Sequence, residues 1–286
     1  ANITAARTIN NTTARTIGAM EFSDAGGNSY GWVLDGTKKV VLSSTGTPGI
    51  RWLTPVTQQA SLDGTEAILL QGTNAAISTP GDLNSSSIIP PLYLNGVNTF
   101  SGAVTIRRGK IAASADVLAS IDGPLGNSAS AIQIGDSGMS ATDIALLQLG
   151  GNGLTMGRTV TFFNGGDVVG VGEVQSSTAY TINWTGNIEL NRTAWIYGRG
   201  AIYITGQISG AGGILKTDIN TAGGVLVLKS SNTFSGEIII SRGTLRIDDV
   251  NAIGTGTSPI KLGDSNSTST VTLQLTNGLA ISRDLE

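Results

Sequence analysis

Residues 226–245 read LVLKSSNTFSGEIIISRGTL, and residues 92–111 read LYLNGVNTFSGAVTIRRGKI. The pentapeptide Asn-Thr-Phe-Ser-Gly begins at Asn98 and again at Asn232, an offset of 134 residues. Leu94/Leu228, Phe100/Phe234, Ile106/Ile240, Arg108/Arg242 and Gly109/Gly243 keep that register. The match then continues at shrinking offsets. AIQIGDS (131–137) aligns with PIKLGDS (259–265) at 128, LQL (147–149) with LQL (273–275) at 126, and Arg158 with Arg283 at 125. Residues have been lost between segments while the segments kept their order. Loops tolerate such losses because closure entropy changes slowly with length. A long internal repeat therefore organises the chain.

Within each copy the apolar residues alternate, as in AVTIRRGKIAA and EIIISRGTLRI, and glycine breaks the runs. TINWTGNIEL, WIYGRGAIYITGQISG and GGVLVLKSS behave alike, giving roughly six strand-like runs between residues 180 and 247. Short strands with regular turn signals fit a sandwich, a barrel or a solenoid. Hairpin dipeptides are few, Asn95-Gly96 and Asn277-Gly278 being the clearest. Glycines recur at strand ends, where a coil must turn a corner with positive φ. These features favour an all-β solenoid, a right-handed parallel β-helix, with about six coils per repeat if each coil takes ~20–22 residues. Inward side chains should stack on those of neighbouring coils, Phe100 and Phe234 among them. Asn98 and Asn232 belong in turns, where they satisfy backbone groups or stack as amide ladders. Outward positions should be Thr and Ser.

Composition agrees and excludes much else. Glycine accounts for 40 of 286 residues and charged residues for only 13%, about half of the roughly 25% usual in globular proteins. Ser, Thr, Asn and Gly disfavour helices. The β-branched and leucine content is high and the net charge is −3, which is not the signature of a disordered chain. The same charge argues against nucleic acid, which needs a basic face. No run reaches the ~18 apolar residues of a membrane span. ANITAARTIN at the start does not read as a signal peptide, so either a signal has been removed or the segment is internal. With no cysteine and no histidine, disulfides, thiolate chemistry, Ser-His-Asp triads and His-ligated metals are out of reach.

The segments ISGAGGILK (208–216), GGVLVLKSSNTFSG (223–236) and RGTL (242–245) resemble the autotransporter-associated β-helix repeat of bacterial passenger domains. Phe234 stands where that family has tyrosine, and Ala252-Ile253-Gly254 stands for its Ala-Leu-Gly element. The first copy keeps Leu92 to Ile111 but has PGDLNSSSIIPPLYL in place of the GGILK lead-in. TINNTTARTIGAMEF resembles the early coils that precede such repeats. The resemblance covers about residues 90–286. It implies a right-handed parallel β-helix, secreted or on the cell surface, and no particular chemistry.

Few residues could carry chemistry. Asp248-Asp249 is the one adjacent acidic pair, but neighbouring strand residues point to opposite faces, and a glycosidase needs two carboxylates ~5–9 Å apart across a cleft. The recurring GDS (135–137 and 263–265) offers one Asp per copy, too few for calcium, which needs six or more oxygen ligands. Both are read as turn residues. A polysaccharide lyase would need a basic residue, and Arg107, Arg108, Arg192 and Arg242 are the candidates. Arg108 and Arg242 recur, which suggests a structural role at a corner. GAGG (210–213) and GGNG (150–153) lack a following Lys-Ser pair and are read as corner glycines. Trp184, Trp195, Tyr197 and Tyr203 could form a sugar-stacking platform if they face outward. Alternation puts Trp195 and Tyr197 on one face, and a core or hydrophobic ridge is favoured. No catalytic, cofactor-binding or metal-binding residue is assigned.

Three regions follow: residues 1–90, early coils with an irregular, loop-rich segment at 55–91 (Pro55, Pro80, Pro90, Pro91); residues 91–225, the first long repeat; and 226–286, a second, incomplete one. Glu286 aligns near Thr161, in mid-repeat, so a longer parent chain or self-association of the ends is expected, the former preferred. The leading functional reading is a non-catalytic scaffold of a bacterial surface or secreted protein (adhesin, fibre or cell-envelope layer). The alternative is a carbohydrate-binding or polysaccharide-degrading β-helix, with cell-surface carbohydrate as partner.

Overall fold

The computed structural model describes residues 7–22, 32–35, 38–44, 47–71, 89–173, 179–218, 223–263, 270–276 and 278–286. The Pro80 region, Asp264 of the second GDS, and Asn277 lie outside them. Among the described residues there is no helix, and every ladder between strands is parallel. Apart from Val104–Ala113, a ten-residue strand that rounds a corner and pairs with its sequence neighbours Pro91–Leu94 and Ile132–Ile134, the ladders skip the next strand in sequence and join strands one coil apart. That is a parallel β-helix.

The first coil shows the plan: Arg7–Asn10 lies on a first face, Arg15–Ile17 on a second and Ala19–Phe22 on a third. The next coil repeats it with Trp32–Asp35, Val40–Leu42 and Gly49–Trp52. Strands of two to five residues have no independent stability; stacking supplies it. On the third face Ile68, Val104, Ile132, Val160, Ile188 and Ile208 form one inward column, all buried. Branched side chains suit such columns because they are stiff at χ1 and pack well on a pleated surface. Each fully buried Ile or Val contributes roughly 1.5–3 kcal/mol.

The second face is discontinuous. A three-stranded sheet occupies it in the first three coils, and a six-stranded sheet begins at Leu154–Met156. Between them two coils carry no strand on this face among the described residues.

The two sequence copies do not occupy equivalent places. Pro91–Leu94 lies in the first-face ladder, whereas its counterpart Val225–Leu228 lies in the second-face ladder. Val104–Ile106 is on the third face and Ile238–Ile240 on the first; Gly109–Ala113 is on the first and Gly243–Ile247 on the second. Ile132–Ile134 and Ile260–Leu262, then Leu147–Leu149 and Leu273–Leu275, shift in the same way. The repeat therefore advances five coils and one further face, about a third of a turn beyond a whole number.

Several expectations change. Six coils per repeat assumed even coils, but the first-face strands that begin at Pro91, Gly109, Ile144 and Val168 are unevenly spaced. The described residues of the stretch 180–247 hold nine strands, not six, because WIYGRGAIYITGQISG crosses all three faces in sixteen residues. Residues 55–71 are not irregular: Val56–Gln58, Leu62–Asp63 and Ile68–Gln71 make a complete coil. Outward positions are mixed: Thr and Ser share the third-face ladder with Gln133 and Glu189 (Thr105, Gln133, Thr161, Glu189, Ser209) and the second-face ladder with Ala201 and Val225 (Thr181, Ala201, Val225, Thr244, Thr272).

Candidate functional site

The recurring block builds a clamp between coils. Asn232 is buried; its Oδ1 accepts the Ile208 N–H at 2.7 Å and its Nδ2 donates to the Ala252 carbonyl at 2.7 Å. Asn98 does the same in the first copy, with the Leu62 N–H at 2.8 Å and the Pro124 carbonyl at 2.7 Å. One amide thus ties its own coil to the coils on both sides. Both asparagines satisfy turn backbone groups, and Asn98 also pairs with the Gln58 amide of the preceding coil. Phe100 and Phe234 are core residues. Each packs under a glycine of positive φ, Gly126 (68°) and Gly254 (73°), where an added Cβ would come within 2.2 and 2.3 Å of the Phe100 and Phe234 carbonyl oxygens. Ala252 and Ile253 of the Ala-Ile-Gly element are buried in the same core.

A second clamp comes from Arg158 and Arg283, which the sequence aligns. Arg158, fully buried, donates Nε to the Ser130 carbonyl (2.6 Å) and Nη1 to the Leu125 carbonyl (2.8 Å). Arg283 donates to the Ser258 and Ile253 carbonyls (2.8 and 3.1 Å), the equivalent positions. Arg192 joins the pattern without recurring: its guanidinium donates to the Gly165, Gly166 and Asp167 carbonyls at 2.6–2.7 Å. These arginines hold turns in place and do not project into a cleft.

Lys216, from GGILK, points inward. It stands in the column between Ile196 and Ile240, with Nζ donating to the Thr217 carbonyl at 2.8 Å. A Cβ on Gly243 would lie 3.0 Å from that Nζ, so the glycine of RGTL leaves room for the lysine of GGILK. Buried Asp218 caps the Gly224 N–H at 2.9 Å. Burial pushes Lys216 down to about 8, with Asp218 opposing, and burial pushes Lys110 down to about 8 as well.

The sign of the resulting pH dependence is fixed. Below pH ~8 both folded and unfolded chains hold these protons, and the burial penalty is constant. Above it the unfolded chain keeps protons that the folded one has lost, so stability rises with pH. Above pH ~10 the trend reverses, because unfolded tyrosine ionises while burial pushes Tyr197 up. Melting curves from about pH 7.5 to 9.8 should show a gain of about 4 kcal/mol, about half of it lost in Lys216→Met. A wild-type stability that falls across this window would exclude the effect.

The acidic candidates sit in turns. Arg246 binds Asp248 through two contacts of 2.9 and 3.0 Å and holds its carboxyl below the usual range; Thr276 also donates to it at 2.7 Å. Asp249 accepts the Asn251 N–H at 2.8 Å. Asp136 of the first GDS caps the Gly138 N–H at 2.8 Å and takes Arg107 Nε at 2.8 Å. Arg108 lies 3.5 Å from Asp143, and Arg242 immediately precedes the corner at Gly243. Gly109 and Gly243 turn equivalent corners at φ 88° and 77°; Gly153 and Gly210, from the two glycine-rich runs, also have positive φ. Among the described residues no three carboxylates gather to hold a metal ion.

The four aromatics part company. Trp184 is inward, in register with Met156 and Ile204. Trp195 and Tyr197 share the outer side of the first face, as alternation required; Tyr197 is buried there and Trp195 half-buried. They belong to a second cluster with Ile89, Ile144, Leu146 and Val168, separate from the main core. Trp195 and Tyr197 lie over Gly170 and Gly172 of the neighbouring strand; a Cβ on Gly172 would strike the Tyr197 ring at 2.5 Å. Tyr203 is outward on the second face, with Lys229 Nζ 5.3 Å and Arg246 Cζ 6.0 Å from its ring centroid. The structure brings Trp195 and Tyr197 together and forms no platform of four.

Sequence reasoning missed the role of Arg158 and Arg283, although their recurrence was the available signal. It also missed the inward course of Lys216, for which the break in alternation at ILK was the only hint.

The passenger-associated-transport-repeat family model matches residues 92–113 and 223–247. No curated protein and no solved structure matches the chain. Repeats of this kind imply a secreted or surface-exposed protein. Residues 92–113 and 223–247 are thus two passenger repeats of the autotransporter type, and the chain winds them into one parallel β-helix.

Proposed function

We propose that this chain is a non-catalytic structural scaffold, a rigid rod segment of an adhesin, fibre or envelope layer. The observation that carries this reading is the use of the cationic groups. Arg158, Arg192 and Arg283 donate to backbone carbonyls of neighbouring turns, and Lys216 to one within the core. Arg107 and Arg246 are paired with Asp136 and Asp248. A lyase needs a base and converging charges in a groove, and these groups serve the joints between coils instead. The sugar-binding alternative drew on a platform of outward rings. Trp184 faces in, Tyr197 is buried, Trp195 is half-buried against the same cluster, and Tyr203 is flanked by two cations.

Electron microscopy of native material tests the proposal. The eleven strands stacked on the first face span about 50 Å at ~4.8 Å per coil. Rods with a regular axial repeat and a length of several such units are expected. Particles of a single unit length that also release sugars from a polysaccharide panel would sink the scaffold reading.

A further inference from the structure

The two copies differ most between Ala113 and Gly123, where the first has six residues more than the second has between Ile247 and Asn251. These residues form a loop with Ser120 at φ 60°. Gly123 pairs antiparallel with Asn98, and Val117 bridges Met156 in parallel. Between this loop and the Asn95–Val97 turn lies a groove of about 450 Å³. Its wall includes Val97 and Ile121, 64% and 54% exposed, with Leu118 and Leu154 beside them. The helix stacks in the second copy without these residues, so the groove is an addition to the coil and not a requirement of it.

We propose that this groove docks an extended peptide segment carrying a basic side chain beside an aliphatic one. Three observations select that occupant. The charged residues lining it are Asp116 and Asp122, both exposed, and no lysine or arginine lines it. One oxygen of each is held in place, Asp116 by the Thr155 N–H and Asp122 by Asn127 Nδ2, both at 2.7 Å. No aromatic ring lines it for a sugar to stack on, and the apolar part of the wall is aliphatic. The groove also sits where the second face lacks strands. The three-stranded sheet ends at Leu62–Asp63 and the six-stranded sheet begins at Leu154–Met156, whose outer edge is closed by the loop itself: the Thr155 carbonyl accepts the Val117 N–H at 2.9 Å and the Thr155 N–H donates to Asp116. An extended chain lays successive side chains along such a groove, a basic one against Asp116 and Asp122 and an aliphatic one against Val97 and Ile121. The inference is independent of the scaffold proposal, because a rod can carry a docking groove or lack one.

The test uses the full chain and two capped hexapeptides, one alternating valine with lysine and one alternating valine with glutamate. By fluorescence anisotropy the lysine peptide should saturate with a Kd below about 1 mM, weaken with added salt, and bind at least about tenfold more tightly than the glutamate peptide. Ile121→Ser and Asp122→Asn, both at exposed positions, should each weaken it about fivefold or more with the melting temperature unchanged. The proposal is overturned if the lysine peptide does not saturate, if both peptides bind alike, or if neither variant changes the affinity. A neutral oligosaccharide that binds and is lost in Ile121→Ser, while the peptides are not bound, would overturn it in favour of a sugar.

Discussion

Replacing Asn232 with alanine is expected to destabilise the coils around it by about 3 kcal/mol. The change removes no large side chain, so the loss comes from hydrogen bonding. It strands the Ile208 N–H and the Ala252 carbonyl, each buried group costing about 1–3 kcal/mol when left unpaired. In a stacked repeat the damage is local, because each coil contacts its neighbours only. Amide exchange at Ile208 should accelerate by about two orders of magnitude. The same change at Asn98 should cost less, about 1–2 kcal/mol. There Gln58 already donates to Asn98 Oδ1 at 2.9 Å and reaches the Ala60 carbonyl, so its amide can turn to the stranded Leu62 N–H. Asn232 has no such neighbour among the described residues. Equal losses at the two positions, or a loss under about 0.5 kcal/mol at Asn232, would refute the clamp as the reason for the asparagine.

Arg158→Ala should be the most damaging single change, about 4 kcal/mol by urea denaturation. It combines a cavity, which costs about 3–5 kcal/mol for a large buried side chain, with unpaired carbonyls at Leu125 and Ser130. Arg158→Met separates the two effects. Burial pushes the Arg158 guanidinium down to about 10, so its carbonyl contacts do not fully offset desolvation. Methionine fills most of the volume and removes that penalty, while buried carbonyls tolerate a missing donor better than N–H groups do. Its loss should therefore stay within about 2 kcal/mol. If methionine proves as damaging as alanine, hydrogen bonding and not volume dominates at this position.

The local physics of the repeat was legible in the chain. A buried Phe and a turn Asn at fixed spacing, followed by a glycine at a corner, read directly from NTFSG and RGTL, since strand alternation and positive φ leave local marks. Arg158 was less legible. A lone arginine next to a strand carries the same signature whether it faces solvent or the core, and its recurrence at Arg283 carried no direction. Lys216 was harder still. Its place in the Ile196–Ile240 column depends on the Gly243 corner of the following coil, which is distant in sequence.

What the sequence by itself determined is the class of fold and the content of each joint: parallel coils, an inward Ile/Val/Leu column, Asn98 and Asn232 in the turns, Phe100 and Phe234 in the core. Alternation within a strand decides which side chains point inward, and a short apolar run with glycine at its end needs nothing else to be recognised. Only the tertiary structure decided which face each strand occupies and what lies against its outer side. The face depends on the sum of all preceding corner and loop lengths, so the second copy arrives a third of a turn past the first although its segments keep the same order. The outer side depends on neighbouring coils. Gly170 and Gly172 make room for Trp195 and Tyr197, Lys229 and Arg246 flank Tyr203, and six added residues open a groove beside Val97. None of these contacts joins residues close in sequence, so no local pattern could announce them.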